Sequence, residues 1–235
     1  MDQSCDPLQI SPWPAGEKVP LALYYETLCP YCSRFIVNHL AGIFEDGIVD
    51  AVDLRLVPYG NAHVVGANNT ISCQHGSEEC FLNTVEACAI DAWPDLRVHF
   101  RFIYCVEDLV VNHKQREWES CFGKLNLDPK PVTDCYKGER GHQLSLKYGR
   151  QTDALQPPHK YVPWDYENFE AYICKAYKGH PPKVCEGLAR PPTPTVLEVA
   201  EAGNRVSYYD SGDIRLKPDE DGHAKIKKVV PDDDD

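Results

Sequence analysis

The sequence predicts a mixed α/β domain, and three observations carry the prediction. An apolar run, Leu21-Ala22-Leu23-Tyr24-Tyr25, reads as a strand. Cys29-Pro30-Tyr31-Cys32 follows it and opens a segment of helical periodicity. A second strand pattern returns at 49–57, which is the order of a βαβ unit.

Each element follows from its residues. Residues 1–19 hold Pro7, Pro12, Pro14 and Gly16 and read as an extended lead-in. Residues 20–26 form the first strand. Residues 30–45 form a helix, with Phe35, Ile36, Leu40, Ile43 and Phe44 recurring at three- and four-residue spacing. Val49 to Val57 alternates and stops at Pro58-Tyr59-Gly60. Residues 60–76 read as a loop rich in Asn and Gly. Glu78 to Trp93 is helical and ends before Pro94. Residues 95–122 read as two helices, the second from about Glu107 to Phe122. Pro129 and Pro131 break the chain, and 132–137 and 142–155 read as short helices. Residues 157–164 are extended, and Tyr166 to Tyr177 is helical with Phe169, Ile173 and Tyr177 on one face. Residues 180–235 crowd prolines with charge and few aromatics, so disorder is expected there, with a marginal strand at Arg205–Tyr209.

The order strand, CxxC helix, strand, helical block, extended Pro segment and helix predicts a thioredoxin-like fold over 20–179. A helical insertion then occupies roughly 61–155. Folds of that kind place a cis-proline beside the redox pair, and Val162-Pro163 is the candidate to position substrate backbone.

A CxxC on the first turn of a helix suits thiol–disulfide chemistry. The unpaired N–H groups there favour a thiolate over a thiol. Cys29 is then the nucleophile, and Cys32, one turn on, resolves the mixed disulfide. The intervening Pro30 and Tyr31 tune the thiolate and meet substrate.

Composition narrows the setting. A formal net charge of −12 on 235 residues argues against nucleic acid and anionic membrane as partners. No apolar run is long enough to span a bilayer. Met1-Asp2-Gln3-Ser4-Cys5 shows no leader-like apolar stretch, which reads as an intracellular chain or a processed form. Eleven cysteines favour a disulfide-permissive compartment. The triplet Asn68-Asn69-Thr70 is a glycosylation sequon with Asn68 as acceptor. An odd cysteine count leaves one unpaired within the chain, and Cys5 and Cys185 are the expected odd ones. No metal, nucleotide or flavin site is visible, so no cofactor is expected. Electrons come from a small thiol or a protein reductant.

A second cluster runs Cys73-Gln74-His75-Gly76-Ser77-Glu78-Glu79-Cys80, then Asn83 and Cys88. With the CxxC, this C-Q-H-G-x2-E-C-x2-N-x4-C pattern resembles the gamma-interferon-inducible lysosomal thiol reductase family over about 20–179. Asp128-Pro129-Lys130-Pro131 and Cys174-Lys175-Ala176-Tyr177-Lys178-Gly179 are most similar to plant members. The resemblance implies a soluble glycoprotein of the secretory, lysosomal, vacuolar or extracellular route. It implies reduction of disulfide-containing proteins at acidic pH, with Cys29 and Cys32 as the redox pair. Cys73, Gln74, His75, Gly76, Glu79, Cys80, Asn83 and Cys88 are implied as signature positions, structural or substrate-facing.

One departure stands out. Trp164 runs straight into Asp165-Tyr166-Glu167, where the family continues with a short apolar strand. An inactive or binding-only isoform lacking that core strand is therefore the alternative reading. A zinc module using Cys73, His75, Cys80 and Cys88 is the third. A Cys73–Cys80 disulfide across the glycine competes with it, with overall connectivity open. His75 reads as a hydrogen-bonded or solvated loop residue before a catalytic base.

Overall fold

A computed structural model of the chain describes residues 18–155, 158, 159, 161–163, 169–178, 185, 217, 218, 224 and 225. β1 (Val19–Tyr25) and β2 (Val52–Pro58) pair in parallel, Val19 opposite Val52 and Tyr25 opposite Pro58. Parallel neighbours need a crossover, and helical segments supply it. α1 (Pro30–Phe35) runs into a π-helical turn (Ile36–Leu40), then α2 (Gly42–Glu45) and a 3-10 turn (Ile48–Ala51). The predicted 30–45 helix is therefore helical throughout, with one wide turn inside it. The expected start of the second strand at Val49 is corrected to Val52, because Ile48–Ala51 coil into that 3-10 turn.

The stretch 60–76 is corrected from loop to hairpin. β3 (His63–Val65) and β4 (Thr70–Ser72) pair antiparallel, with Gly66 and Asn69 at positive φ in the turn between them. Its strands are short and largely exposed, so no alternating apolar pattern marks them.

α3 (Ser77–Ala92) and α4 (Leu96–Val111) are the long central helices. Asp95 caps α4 by accepting from the Arg97 N–H at 2.8 Å. The predicted helix from Glu107 to Phe122 does not form. α4 ends at Val111, and His113 turns the chain at φ 57°. A 3-10 turn (Gln115–Glu117) and α5 (Ser120–Leu125) follow. α6 (Lys130–Lys137) and α7 (Glu139–Asp153) complete the helical block. α8 (Phe169–Ala176) is the last described helix, and a two-residue pairing joins β5 (Lys217–Pro218) to β6 (Ala224–Lys225). The lead-in, the segment 164–168, the Arg205–Tyr209 strand and most of the region expected to be disordered lie outside the described residues.

Two buried cores meet along α4. One gathers β1, α1, β2 and α8 around Leu23, Ile36, Ile43, Leu54 and Ile173. The other gathers α3, α5, α6 and α7 around Leu82, Val85, Phe122, Val132 and Leu144. α4 feeds both: Phe100 and Ile103 join the first, Phe102 and Val106 the second. Successive helical residues point about 100° apart, so one helix can serve two cores when its apolar stripe is wide.

Disulfides staple the second core. Cys73–Cys80, Cys88–Cys135 and Cys105–Cys121 all involve it or its rim, and Cys174–Cys185 closes beyond α8. Cys185 is thus paired, against expectation, while Cys5 lies outside the described residues. The zinc-module reading is overturned too. Cys73, Cys80 and Cys88 are half-cystines, and zinc takes thiolates.

Candidate redox site

β1 ends at Tyr25, and Glu26-Thr27-Leu28 turns the chain onto α1. Leu28 takes a left-handed conformation at φ 64°. Cys29 then sits at the helix N-cap, where its Sγ accepts from the Cys32 N–H at 3.5 Å. Pro30 starts the helix without wasting a donor, since the first helical N–H has no intrahelical partner. Both cysteines are thiols and both are buried.

The two thiols differ in acidity. The Cys32 side chain donating to Cys29 is the first cause that lowers the Cys29 thiol. Burial works against it, and the Cys32 and Tyr31 N–H groups at the helix start help. Cys32 moves the other way, well above an ordinary thiol, because it is buried and beside Cys29. One thiol of the pair is thereby prepared to ionise and the other to hold its proton.

The Val162–Pro163 bond is cis, and the Cys29 Sγ donates to the Val162 carbonyl at 3.6 Å. The chain thus brings residues 133 positions apart against the nucleophile candidate.

The C-Q-H-G cluster is tied by hydrogen bonds to the turn that leads into the CxxC. Asn83 Oδ1 accepts from the Thr27 N–H at 2.9 Å, and the Glu79 carbonyl accepts from the Thr27 hydroxyl at 3.2 Å. Gln74 accepts from Asn61 Nδ2 at 2.7 Å. His75 Nδ1 stands 2.5 Å from Glu79 Oε2, whose carboxylate also accepts from the His75 N–H at 2.7 Å. That contact first, and the nearby Glu79 and Glu26 charges after it, raise the imidazole's affinity for a proton. Gly76, at φ 90°, turns the chain from this loop into α3. Cys73 and Cys80 close the loop, and Cys88 anchors α3 to α6. Asn68 is exposed in the β3–β4 turn. A cleft of about 440 Å³ beside the loop is lined by Cys73, Cys80, Phe81, Asn83, Tyr136 and His142 among others.

Sequence reasoning named Glu79 as a signature position but missed that it belongs to a set of buried acids. Glu26 is 1% exposed, and Glu79, Glu86 and Glu107 are fully buried. Tyr25 donates to Glu86 at 2.6 Å, and Ser33 pairs with Glu107 while contacting the Cys29 carbonyl at 3.1 Å. Burial first, then the neighbouring Glu79 charge, pushes Glu26 up to about 7. Burial pushes Glu107 up to about 7, and burial together with Glu107 raises Glu86 well above the usual carboxyl range. The one available signal was spacing: Glu79, Asn83 and Glu86 recur at four and three residues along α3, a polar stripe along one line of the helix.

The family model described as gamma interferon inducible lysosomal thiol reductase (GILT) matches residues 20–125. An Arabidopsis thaliana gamma-interferon-responsive lysosomal thiol protein is 40% identical over 210 residues, covering 81% of this chain and 87% of that protein. A Mus musculus gamma-interferon-inducible lysosomal thiol reductase is 33% identical, covering 77% of each. A Carassius auratus protein of the same name is 34% identical, covering 73% of this chain and 74% of its own length.

Proposed function

The chain belongs to the gamma-interferon-inducible lysosomal thiol reductase family, and on that premise we propose that it reduces protein disulfides with Cys29 as nucleophile and Cys32 as resolving thiol. The observation that carries this reading is the pair of unpaired, buried thiols whose acidities are driven apart. The Cys29 thiolate attacks one substrate sulfur, and the other leaves as a thiol after taking a proton. Cys32 then attacks Cys29 Sγ, releasing the second substrate thiol and leaving a Cys29–Cys32 disulfide. Two electrons pass from the dithiol to the substrate, and a small thiol or protein reductant restores the pair.

The surroundings support named roles. The Val162 carbonyl faces Cys29, where an extended substrate segment would lie against Val162-Pro163. In this reading the domain over 20–179 is thioredoxin-like, built on the β1–α1–β2 unit, with the helical block as its insertion. Asn68 is the glycan acceptor, and the compartment is lysosomal, vacuolar or extracellular; the relatives' names say lysosomal of those proteins. Among the described residues no helix is long and apolar enough to cross a membrane.

The test is reduction of a disulfide-bonded protein near pH 5 and near pH 7 by this chain and by Cys29→Ser. Activity in the parent that is lost in the variant is expected. A fully reduced, folded parent that leaves the substrate's disulfides intact would defeat the proposal.

A further inference from the structure

Three donors outside the thiol pair converge from three segments. Glu26 lies just past β1, His75 in the signature loop and Glu79 in the first turn of α3. One ligand atom from each lies within 4.8 Å of the other two. The contacts are 2.5 Å from His75 Nδ1 to Glu79 Oε2 and 3.7 Å to Glu26 Oε1.

The donors are held, not merely near. Glu26 Oε2 accepts from the Asn61 N–H at 2.7 Å, and Oε1 accepts from Asn61 Nδ2 at 3.3 Å. Its carboxyl occupies the space a side chain on Gly60 would need, since a Cβ there would stand 2.3 Å from Glu26 Oε2. Glu79 is fixed by the His75 N–H, and the strand end is pinned to α3 through Thr27. The ligands are ordered beforehand, and an ion entering between them takes the place of the His75–Glu79 hydrogen bond and its proton.

Charge and hydrogen bonding are both left short. Two buried carboxyls face one imidazole, and among the described residues neither pairs with a lysine or arginine. Glu79 Oε1 is buried with no hydrogen-bond partner among the described residues. A buried carboxylate oxygen without a donor is costly, and a cation removes that cost directly. The imidazole is 21% exposed, which leaves a route in.

We propose that Glu26, His75 and Glu79 form a binding site for a divalent transition-metal cation of the zinc class beside the CxxC turn. One imidazole nitrogen and two carboxylate oxygens suit zinc, with a fourth position open to solvent. Three donors including a nitrogen fall short of the six to eight oxygens calcium prefers. The half-cystines Cys73 and Cys80 hold the loop but do not bind the ion.

Zinc also binds thiolates, so the test starts from a full-length Cys5→Ser/Cys29→Ser/Cys32→Ser parent with its four described disulfides intact. Zinc chloride is titrated by calorimetry and by competition with a chromogenic chelator. One equivalent bound at micromolar affinity or tighter is expected. Adding Glu79→Gln or His75→Ala should weaken it by more than about tenfold. His75→Ala changes a partly exposed residue, so it carries the test if near-UV circular dichroism shows Glu79→Gln misfolded. A parent that binds zinc only near millimolar concentrations overturns the proposal. So does a folded His75→Ala variant that binds as the parent does.

Discussion

The sheet half and the helical half treat their buried cysteines in opposite ways, the half-buried Cys174–Cys185 bond of the sheet half standing apart. In the helical half Cys88–Cys135 and Cys105–Cys121 are locked, and both lie under the second core. In the sheet half Cys29 and Cys32 remain thiols although they are as buried as Cys88 and Cys121. Burial alone therefore does not decide a cysteine's role. What separates the halves is which groups surround the sulfur. Cys29 has helix-start N–H groups and a neighbouring thiol, whereas the helical cysteines have one another across packed helices.

The seam between the halves differs from both cores. Tyr25–Glu86, Thr27–Asn83, Thr27–Glu79 and Ser33–Glu107 all cross it, and all are buried polar contacts. Buried polar pairs fix register more than they add stability, because each was solvated before folding.

The largest expected contrast comes from the thiols themselves. Cys32→Ser should leave Cys29 able to attack but unable to let go. A covalent adduct with a disulfide substrate should then build up, visible on a non-reducing gel, while turnover falls on the order of 10³-fold or more. Removing a staple should do the reverse. Cys88→Ala with Cys135→Ala opens a loop of sequence separation 47 and should cost roughly 4 kcal/mol in denaturant titrations. The alkylation rate of Cys29 in the remaining folded fraction should stay within about twofold, because no seam contact is removed.

The first half of that contrast was legible in the sequence and the second was not. Cys29 and Cys32 stand out because strand, proline and helix periodicity meet at one short motif, and such local signals survive without tertiary knowledge. The second strand and α3 were legible for the same reason. The partners of Cys88 and Cys105 were not, because pairing depends on how helices pack. The end of α4 was misplaced because apolar periodicity continues through Trp118 and Phe122 while His113 adopts a left-handed turn that no pattern announces. Glu26, Glu86 and Glu107 were unread because an acid's burial is set by what folds over it. Helix position alone makes such residues look like a solvated face.

Seam substitutions should fall next in size. Tyr25→Phe strips Glu86 of its donor within a sealed site and should cost about 1–3 kcal/mol. Near-UV circular dichroism should report the loss with little change in secondary structure.

A pH dependence of unusual sign comes last. Glu26 and Glu107 hold protons up to about 7 when folded, against 4.5 ordinarily, and burial raises Glu86 in the same direction. The folded form thus binds protons that the unfolded chain releases. Their contribution is fully present below about pH 4.5 and is lost as pH rises through about 7. His99 opposes this: burial lowers its proton affinity, so its contribution fades as pH falls below 6.5. Three carboxyls outweigh one imidazole. The Tm should be higher near pH 5 than near pH 7.5. Glu107→Gln should flatten that slope.

The Cys174–Cys185 bond has a consequence for survival among proteases. It ties the last described helix to a point 11 residues further along. Backbone cleavage anywhere between the two would leave both fragments on one molecule, unchanged in mass on a non-reducing gel apart from one added water. Only a reductant would part them. A chain working among hydrolases could be nicked there and still hold the piece that carries Cys185, which packs against the core that carries the thiols.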